Sequence, residues 1–202
     1  MSASALIQNL RNTRVAVVHP RDQDGDDLIR QLQRIGCQVQ AVWPPPAQLP
    51  LPLDAVFFLL DSDIRSAMPW RMADLNVAHI AIMDYENPTA LKALLDSNAH
   101  GVLLRPIRAT GVLSNLVLAL SIRGYEGRLL TKISKLEDTL RTRRDIEKAT
   151  RLLMSLRNLS ENDAYQFIRR QATAKRVSLG VIASSIINAS AMLAELDRDG
   201  EK

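Results

Sequence analysis

The chain has 202 residues, enough for one ordinary domain and a smaller module, and its hydrophobic content of 47% is sufficient for a folded core. The longest strictly apolar run, 55–60, is too short to cross a bilayer, and the N-terminal residues lack the pattern of a signal peptide. The single cysteine, Cys37, excludes an internal disulfide and fits a reducing compartment. We therefore expect a cytoplasmic protein that does not contact the membrane.

Charge is unevenly distributed along the chain. Residues 1–122 hold 10 basic and 11 acidic side chains, whereas residues 123–176 hold 14 basic and 7 acidic ones. A polyanionic partner is therefore expected to bind the C-terminal half. The alternative is an ordinary solvated helix, which charge alone favours.

The first part of the chain alternates short apolar runs with helical patterns. Helices are predicted between the runs; one is ended by Gly36 and another begins at Pro88. Strands that alternate with helices imply a parallel sheet covered by helices on both faces. The five predicted strands are 14–18, 37–43, 54–60, 79–83 and 101–104.

This order of elements over about residues 14–122 resembles the receiver domain of response regulators, a flavodoxin-like fold with a five-stranded parallel sheet. The most specific local match is Arg105-Pro106, where receivers usually carry Lys-Pro, often with a cis peptide bond. The resemblance implies an α/β class for this part of the chain.

The phosphorylation chemistry of receivers is not matched in this sequence. His19-Pro20 stands where an acidic pair would hold Mg²⁺, and Asp22 and Asp24 are displaced into the following loop. The acceptor position falls on Leu59, and Asp61 lies two residues later. We expect a receiver retained for its surfaces; phosphorylation of Asp61 is the less favoured alternative.

From about residue 110 to 157 the pattern is helical, longer than the last helix of an ordinary receiver. Its apolar residues are spaced four and three apart, which is typical of a coiled coil, and the simplest partner is a second copy of the chain. The alternative is that the stripe folds back on the receiver-like domain. Gly124 and Gly127 weaken the helix, so a break or bend could occur near them. The predicted dimerisation residues are Ile122, Tyr125, Leu129, Ile133, Leu136 and Leu140.

Two shorter helices follow the long one. Residues Ser160 to Asp163 have the form of a capping box, and Ser178 can cap the last helix. Because the joining segments are short, we expect these helices to pack with the end of the long helix as a small three-helix bundle. The predicted bundle core contains Leu152, Leu153, Tyr165, Ile168 and Ile182.

Three stretches resemble the ANTAR domain of transcription antiterminators: IEKATRLLM at 146–154, SENDAY at 160–165 and IRRQA at 168–172. The sequence departs at Thr150, where many members carry lysine; the neighbouring Arg151 could supply that charge. The resemblance implies binding to hairpin loops in nascent leader mRNA. Stabilising that RNA fold would prevent a terminator hairpin, so that RNA polymerase reads through.

Four further stretches resemble the antiterminators of amidase operons. They are IGC at 35–37, WPPP at 43–46, YENP at 85–88 and HGV at 100–102. The resemblance implies that a small-molecule-sensing negative regulator with a periplasmic-binding-protein fold sequesters the chain. The sensed ligand need not be an amide.

The chain is therefore predicted to be α/β and then all-α. Its parts are a receiver-like domain at 1–122, a coiled-coil helix at 123–145, an ANTAR RNA-binding domain at 146–196 and a flexible tail at 197–202.

RNA loops require neutralised phosphates and contacts to unstacked bases. Tyr165 and Phe167 could stack on a base, although Tyr165 is expected to lie in the core. DNA binding is not expected, because no helix presents a base-reading face after a helix-turn-helix turn. The predicted RNA-binding residues are Arg144, Lys148, Arg151, Arg169, Arg170, Lys175 and Arg176.

No enzymatic pattern occurs in the sequence. His19, His79 and His100 are far apart, and each is expected to be structural. No motif supplies metal-ligand spacing, a P-loop, a nucleophile elbow or a dinucleotide fingerprint. We predict no enzyme activity, no catalytic residue, no metal and no cofactor.

Three functional hypotheses follow. The leading one is a homodimeric RNA-binding antiterminator controlled by protein sequestration. The second keeps the RNA output but controls it by phosphorylation of Asp61. The third is a protein-interaction scaffold whose basic helix binds an acidic partner and not RNA.

Overall fold

The computed structural model describes residues 9–50, 52–60 and 76–199. They form two compact units, divided between Arg128 and Leu129.

The first unit is built on a five-stranded parallel sheet with the strand order β2-β1-β3-β4-β5. This is the flavodoxin-like order, so the predicted receiver-like fold is confirmed. Every predicted strand is present, with its ends within one residue of those expected. The strands are β1 Arg14–Val18, β2 Gln38–Val42, β3 Ala55–Leu59, β4 Ala78–Met83 and β5 Gly101–Leu104.

Local capping sets the ends of the helices in this unit. The Asp22 carboxylate accepts a hydrogen bond from Gly25 N at 2.9 Å and begins the first helix, which ends where Gly36 adopts a φ of 101°. Asn87 caps the second helix through Ala90 N at 2.7 Å. The elements are a 3₁₀ turn at Asn9–Asn12, α1 Gln23–Ile35, α2 Pro88–Asp96 and the start of α3 Ala109–Arg157.

Alternate residues of each strand enter two different cores. Val15 and Val17 of β1 pack with Leu28 of α1 and Leu116 of α3 on one face of the sheet. The intervening β1 residues, such as Val18, pack on the other face with the loop before β3. All residues of β3 and β4 are buried, as expected for central strands covered on both faces.

The long helix α3 has one interruption in its backbone, near its start. Thr110 has a ψ of 129° and Gly111 a φ of 103°, a left-handed conformation that favours glycine. The backbone is helical from there to Arg157, so the break considered near Gly124 and Gly127 does not occur. A glycine weakens a helix by only about 1 kcal/mol, which the long helical stretches on either side outweigh.

The second unit contains the C-terminal part of α3, α4 Glu161–Lys175 and α5 Leu179–Asp199. The predicted N-cap at Ser160 is confirmed, because its Oγ accepts from Asp163 N at 3.2 Å; the same hydroxyl donates to the Asp163 carboxylate at 2.7 Å. Small side chains let the helices pack closely. The buried core is Ala149, Leu153, Ala164, Ile168, Ala172, Ile182 and Ala183.

The expectation that Tyr165 belongs to this core is wrong. Its side chain is 38% exposed, whereas Ala164 and Ile168 are fully buried. The core-facing residues of α4 follow a spacing of four, and Tyr165 lies one residue from Ala164, about 100° around the helix axis. Leu152 on α3 is likewise only half-buried. Tyr165 is therefore available to a partner of the bundle.

Two histidines that are distant in sequence form a buried pair in the first unit. The rings of His79 and His100 stack with centroids 5.0 Å apart, because β4 and β5 are neighbours in the sheet. The backbone N–H of His79 donates to His100 Nδ1 at 2.9 Å. His100 Nε2 therefore carries the proton and donates to the Glu126 carboxylate at 3.0 Å. The pair attaches the first unit's portion of α3 to the sheet.

His79 should make the first unit sensitive to acid. Burial, followed by electrostatic interactions with the His100 ring and the Arg123 guanidinium, lowers the pKa of His79 to about 4, from an ordinary value of 6.5. Between pH 6.5 and 4 the unfolded chain binds a proton that the folded chain does not, so stability is full above pH 6.5 and is lost as the pH falls towards 4. The expected loss is about 3 kcal/mol.

The measurement is urea unfolding of the full chain at pH values from 7 to 4, followed by tryptophan fluorescence, since Trp43 and Trp70 both precede residue 122. His79→Leu should keep its stability over this range better than wild type by that amount. Both His79 ring nitrogens are buried and have no hydrogen-bond partner among the residues that the structure describes, so leucine should cost little at pH 7. Parallel pH profiles for the two proteins would contradict the assignment.

Candidate nucleic-acid interface

Three of the predicted RNA-binding residues form a row on α3. Arg144, Lys148 and Arg151 are spaced four and three apart, and all are exposed. They lie about 150° around the helix axis from the core-facing Ala149 and Leu153. The row therefore points away from the side on which the bundle packs.

Most of the predicted RNA-binding residues have no carboxylate partner within the described ranges. Arg151 Nη2 lies 3.9 Å from a Glu147 oxygen, and both side chains are largely exposed, so this pair is weak. In the part of the chain that the structure describes, the other six form no ion pair. Their charges are available to a polyanion.

Two more candidates, Arg169 and Arg170, lie on the outer side of α4. Both are exposed, whereas Ile168 and Ala172 point into the core. The seven candidates therefore fall into two main groups, the row on α3 and the residues of α4.

The last two candidates, Lys175 and Arg176, end α4. Both are exposed, and cations at this position also interact favourably with the carbonyl groups of the last helical turn. Arg176 adopts a φ of 55°, and its N–H donates to the carbonyl of Thr173 at 3.2 Å. Arginine thus occupies a left-handed position that glycine usually fills.

This conformation allows the charge of Arg176 to be separated from its backbone strain. Arg176→Gly and Arg176→Ala remove the same charge, but only glycine relieves the left-handed conformation. We expect the glycine variant to be about 1 kcal/mol more stable than the alanine variant. Thermal unfolding followed by circular dichroism measures the difference; equal midpoints would show that the backbone at Arg176 is not strained.

Sequence reasoning did not select Arg157. Its Cζ lies 4.9 Å from the centre of the Phe167 ring, across the turn between α3 and α4. No sequence motif marks such a pair, because it depends on how the turn folds.

Thr150 is buried, and its hydroxyl donates to the Ile146 carbonyl at 2.8 Å. The exposed Arg151 therefore presents its charge on a different side of α3 from Thr150.

The receiver-like unit carries a cluster of carboxylates around Arg105. Its guanidinium donates to Asp22 at 2.9 Å, to Asp24 at 2.8 Å and to Asp84 at 3.0 Å. The peptide bond from Arg105 to Pro106 is cis, as the receiver resemblance implies. The expectation of a loop position is wrong for Asp24, which belongs to the first turn of α1, whereas Asp22 lies just before the helix and caps it.

In the cluster around Arg105, the guanidinium is the cation that balances the three carboxylates. Burial acts to raise the pKa of Asp24, but the backbone N–H of Ile107 and the Arg105 guanidinium hold that pKa below its ordinary value. Asp24 therefore stays ionised and paired with the Arg105 guanidinium.

The less favoured phosphorylation site, Asp61, lies outside the described residues.

Comparison with known proteins identifies the family. Residues 13–120 match the family described as AmiR, N-terminal, and residues 134–187 match the ANTAR domain. The chain belongs to the AmiR family of ANTAR-domain antiterminators. It is 32% identical over 193 residues to the aliphatic amidase regulator of Pseudomonas aeruginosa, covering 93% of this chain and 97% of that protein.

Solved structures of response regulators are also similar to this AmiR-family chain. The response regulator StyR is 14% identical, with a TM-score of 0.49, and the match covers 88% of this chain and 99% of StyR. The receiver domain of a diguanylate cyclase from Desulfovibrio desulfuricans G20 is 17% identical, with a TM-score of 0.46, covering 57% of this chain and 98% of that domain. The family assignment comes from the sequence matches.

Two kinds of feature are missing from the described ranges, 9–50, 52–60 and 76–199. No helix there is long and apolar enough to cross a membrane. No group of three or more histidine, cysteine or acidic side chains there could hold a metal ion.

Proposed function

We propose that this AmiR-family protein binds hairpin loops in leader mRNA and so allows RNA polymerase to read through a terminator. The observation that carries the proposal is that all seven candidate basic residues are exposed within or beside the ANTAR match, and that six of them lack an ion-pair partner among the described residues. Phosphate neutralisation by such side chains supplies most of the affinity for RNA. The protein acts in the cytoplasm as a regulator and not as an enzyme.

The active form in this proposal is a homodimer. The seam residues Tyr125, Leu129, Ile133, Leu136 and Leu140 are exposed on α3, and Ile122 is half-buried. An exposed apolar stripe on a helix is buried when it packs against a matching stripe on a second helix. A second copy of the chain supplies one without any further partner. The coiled coil at 123–145 would thus present two ANTAR domains at 146–196.

Control is proposed to come from a partner protein and not from phosphorylation. Asp22, Asp24 and Asp84 bind the Arg105 guanidinium, so they are not free to hold Mg²⁺. A relative of this chain is named as the regulator of an aliphatic amidase. We infer that a small-molecule-sensing protein with a periplasmic-binding-protein fold binds this chain and covers its RNA-binding surface until its ligand releases it.

A gel-shift titration with the leader RNA of the chain's own operon tests RNA binding. We expect binding that requires the hairpin loop and weakens as salt increases, because each neutralised phosphate releases counterions. A duplex of the same stem without its loop is the control RNA. Equal affinity for hairpin and duplex, or no binding at low salt, would contradict the proposal. A stable complex with a protein partner but no RNA affinity would favour the scaffold alternative.

Incubation with acetyl phosphate and Mg²⁺, followed by intact-mass measurement, tests control by phosphorylation. We expect no added phosphate on the wild-type protein. A mass increase of one phosphate that disappears in Asp61→Asn would show that Asp61 accepts phosphate, and would overturn this part of the proposal.

A further inference from the structure

Arg157 and Phe167 form a cation–π pair where α3 turns into α4. Arg157 is the last residue of α3, and Asn158 reverses the chain with a φ of 51°. The turn brings the guanidinium of Arg157 over the ring of Phe167 in the second turn of α4, at 4.9 Å from the ring centre. This distance is within the range of a cation–π contact.

The two members of the pair differ in burial. Phe167 is half-buried and packs against the bundle core, so its ring is held on a rigid base. Arg157 is exposed, and among the described residues its guanidinium has neither an ion pair nor a hydrogen bond. The planar guanidinium of Arg157 is thus held at the surface, and its N–H groups are available to donate to a ligand. Because the ring already orders it, it would lose little conformational entropy on binding a ligand.

The surroundings of the pair suit a nucleotide. Arg170 is three residues after Phe167 on α4 and is exposed, so it lies next to the ring on the helix surface. Leu156, beside Arg157, is 64% exposed and adds apolar surface. Asp163, four residues before Phe167 on α4, has its carboxylate hydrogen-bonded to the Ser160 hydroxyl. A planar cation, a ring, and a second cation are therefore available within one short region.

We propose that the Arg157–Phe167 pair is the subsite on which an unpaired base of the RNA loop stacks, with Arg170 neutralising an adjacent phosphate. Unstacked bases in RNA loops are recognised by stacking on aromatic rings or on guanidinium planes. The inference rests on the proposed RNA-binding function and adds to it a role for a specific pair of residues. It explains recognition of loops over duplexes, because paired bases are not available for stacking.

The competing explanation is that the pair only stabilises the turn between α3 and α4. Substitutions that preserve packing distinguish the two. Arg157→Lys keeps the positive charge but loses the plane, and Arg157→Met keeps a long side chain over the ring but loses both. A purely stabilising contact would change the unfolding temperature of these variants without changing their affinity for RNA.

The test uses the full chain and hairpin RNAs from its operon leader, each with 2-aminopurine at one loop position. We expect wild type to change the fluorescence at one position, and Arg157→Lys and Arg157→Met to lose that change. Both should bind the hairpin about tenfold more weakly, the usual range for one stacked base. Because lysine keeps the charge, the salt dependence of Arg157→Lys should equal that of wild type, whereas Arg170→Ala should reduce the slope by about one phosphate's worth.

Arg143→Lys, the same substitution at another exposed arginine of α3, is the matched control and should leave both signals unchanged. Tight hairpin binding by wild type together with unchanged affinity and fluorescence in Arg157→Lys and Arg157→Met would overturn the stacking subsite and leave the RNA-binding function standing. Absence of hairpin binding by wild type would overturn both. If Arg157→Lys and Arg157→Met lost affinity for a protein partner but kept their affinity for RNA, the pair would be a protein-binding site. That result would also overturn the stacking subsite.

Discussion

Replacing Arg169 and Arg170 together with alanine is expected to weaken binding of the leader hairpin by between about 10-fold and 100-fold at physiological salt. Both guanidinium groups are exposed on the outer side of α4, and neither has an ion pair among the described residues. Removing them takes away two phosphate or base contacts. The slope of log affinity against log salt should also become shallower, by up to about two phosphates' worth.

The double variant should fold normally. Alanine is a better helix former than arginine, and neither side chain contributes to the bundle core. The helical circular dichroism signal should therefore match that of wild type. Arg30→Ala with Arg34→Ala, two exposed residues of α1, is the matched control because it makes the same change in net charge within the first unit. If both double variants lost affinity equally, net charge and not the α4 surface would be responsible.

Placing lysine at Leu136 and Leu140 together is expected to convert the proposed homodimer into a monomer. These side chains are 64% and 56% exposed on α3, and the proposed coiled coil would bury them. Burying a leucine contributes about 1.5–3 kcal/mol, and a dimer contains four of the changed positions. Like charges would also face each other across the seam. Dimer affinity should fall by more than about 1000-fold.

Light scattering of the purified full chain measures the change, from twice 22.5 kDa to 22.5 kDa. Leu130→Lys is the control, because Leu130 is also exposed but lies one residue off the seam. It should remain dimeric. A monomeric wild-type protein, or a dimer that survives the double substitution, would contradict the proposed seam.

Local sequence signals were enough to predict the elements of the fold. The strands were placed within one residue because four are short apolar runs and β2 alternates polar and apolar residues, and both patterns are typical of strands. The same holds for the cap at Ser160 and the C-terminal Gly36 of α1. These features depend on neighbouring residues, which a single sequence displays directly.

Contacts between distant residues were not predictable in the same way. Arg105 and Asp24 are 81 residues apart in sequence, and His79 and His100 are 21 residues apart, yet each pair is in contact. Their meeting depends on the order of strands in the sheet. The sequence named all four residues but placed none of these pairs together.

The candidate interface was only partly accessible to sequence reasoning. The uneven charge and the ANTAR resemblance were enough to select the basic residues of α3, which the structure shows to be exposed. The Arg157–Phe167 contact was missed, since it depends on the backbone of the turn at Asn158. The surface position of Tyr165 was missed because alanine and isoleucine, and not the aromatic ring, fill the core side of α4.

The central claim is that this chain promotes read-through by binding a leader hairpin. Transcription in vitro, from a template that carries the operon's leader and terminator, tests it most directly. Adding wild-type protein at concentrations that saturate hairpin binding should increase the fraction of full-length transcript, and Arg169→Ala with Arg170→Ala should not increase it at the same concentration. An unchanged full-length fraction with saturating wild type, or an equal increase with the double variant, would contradict the claim.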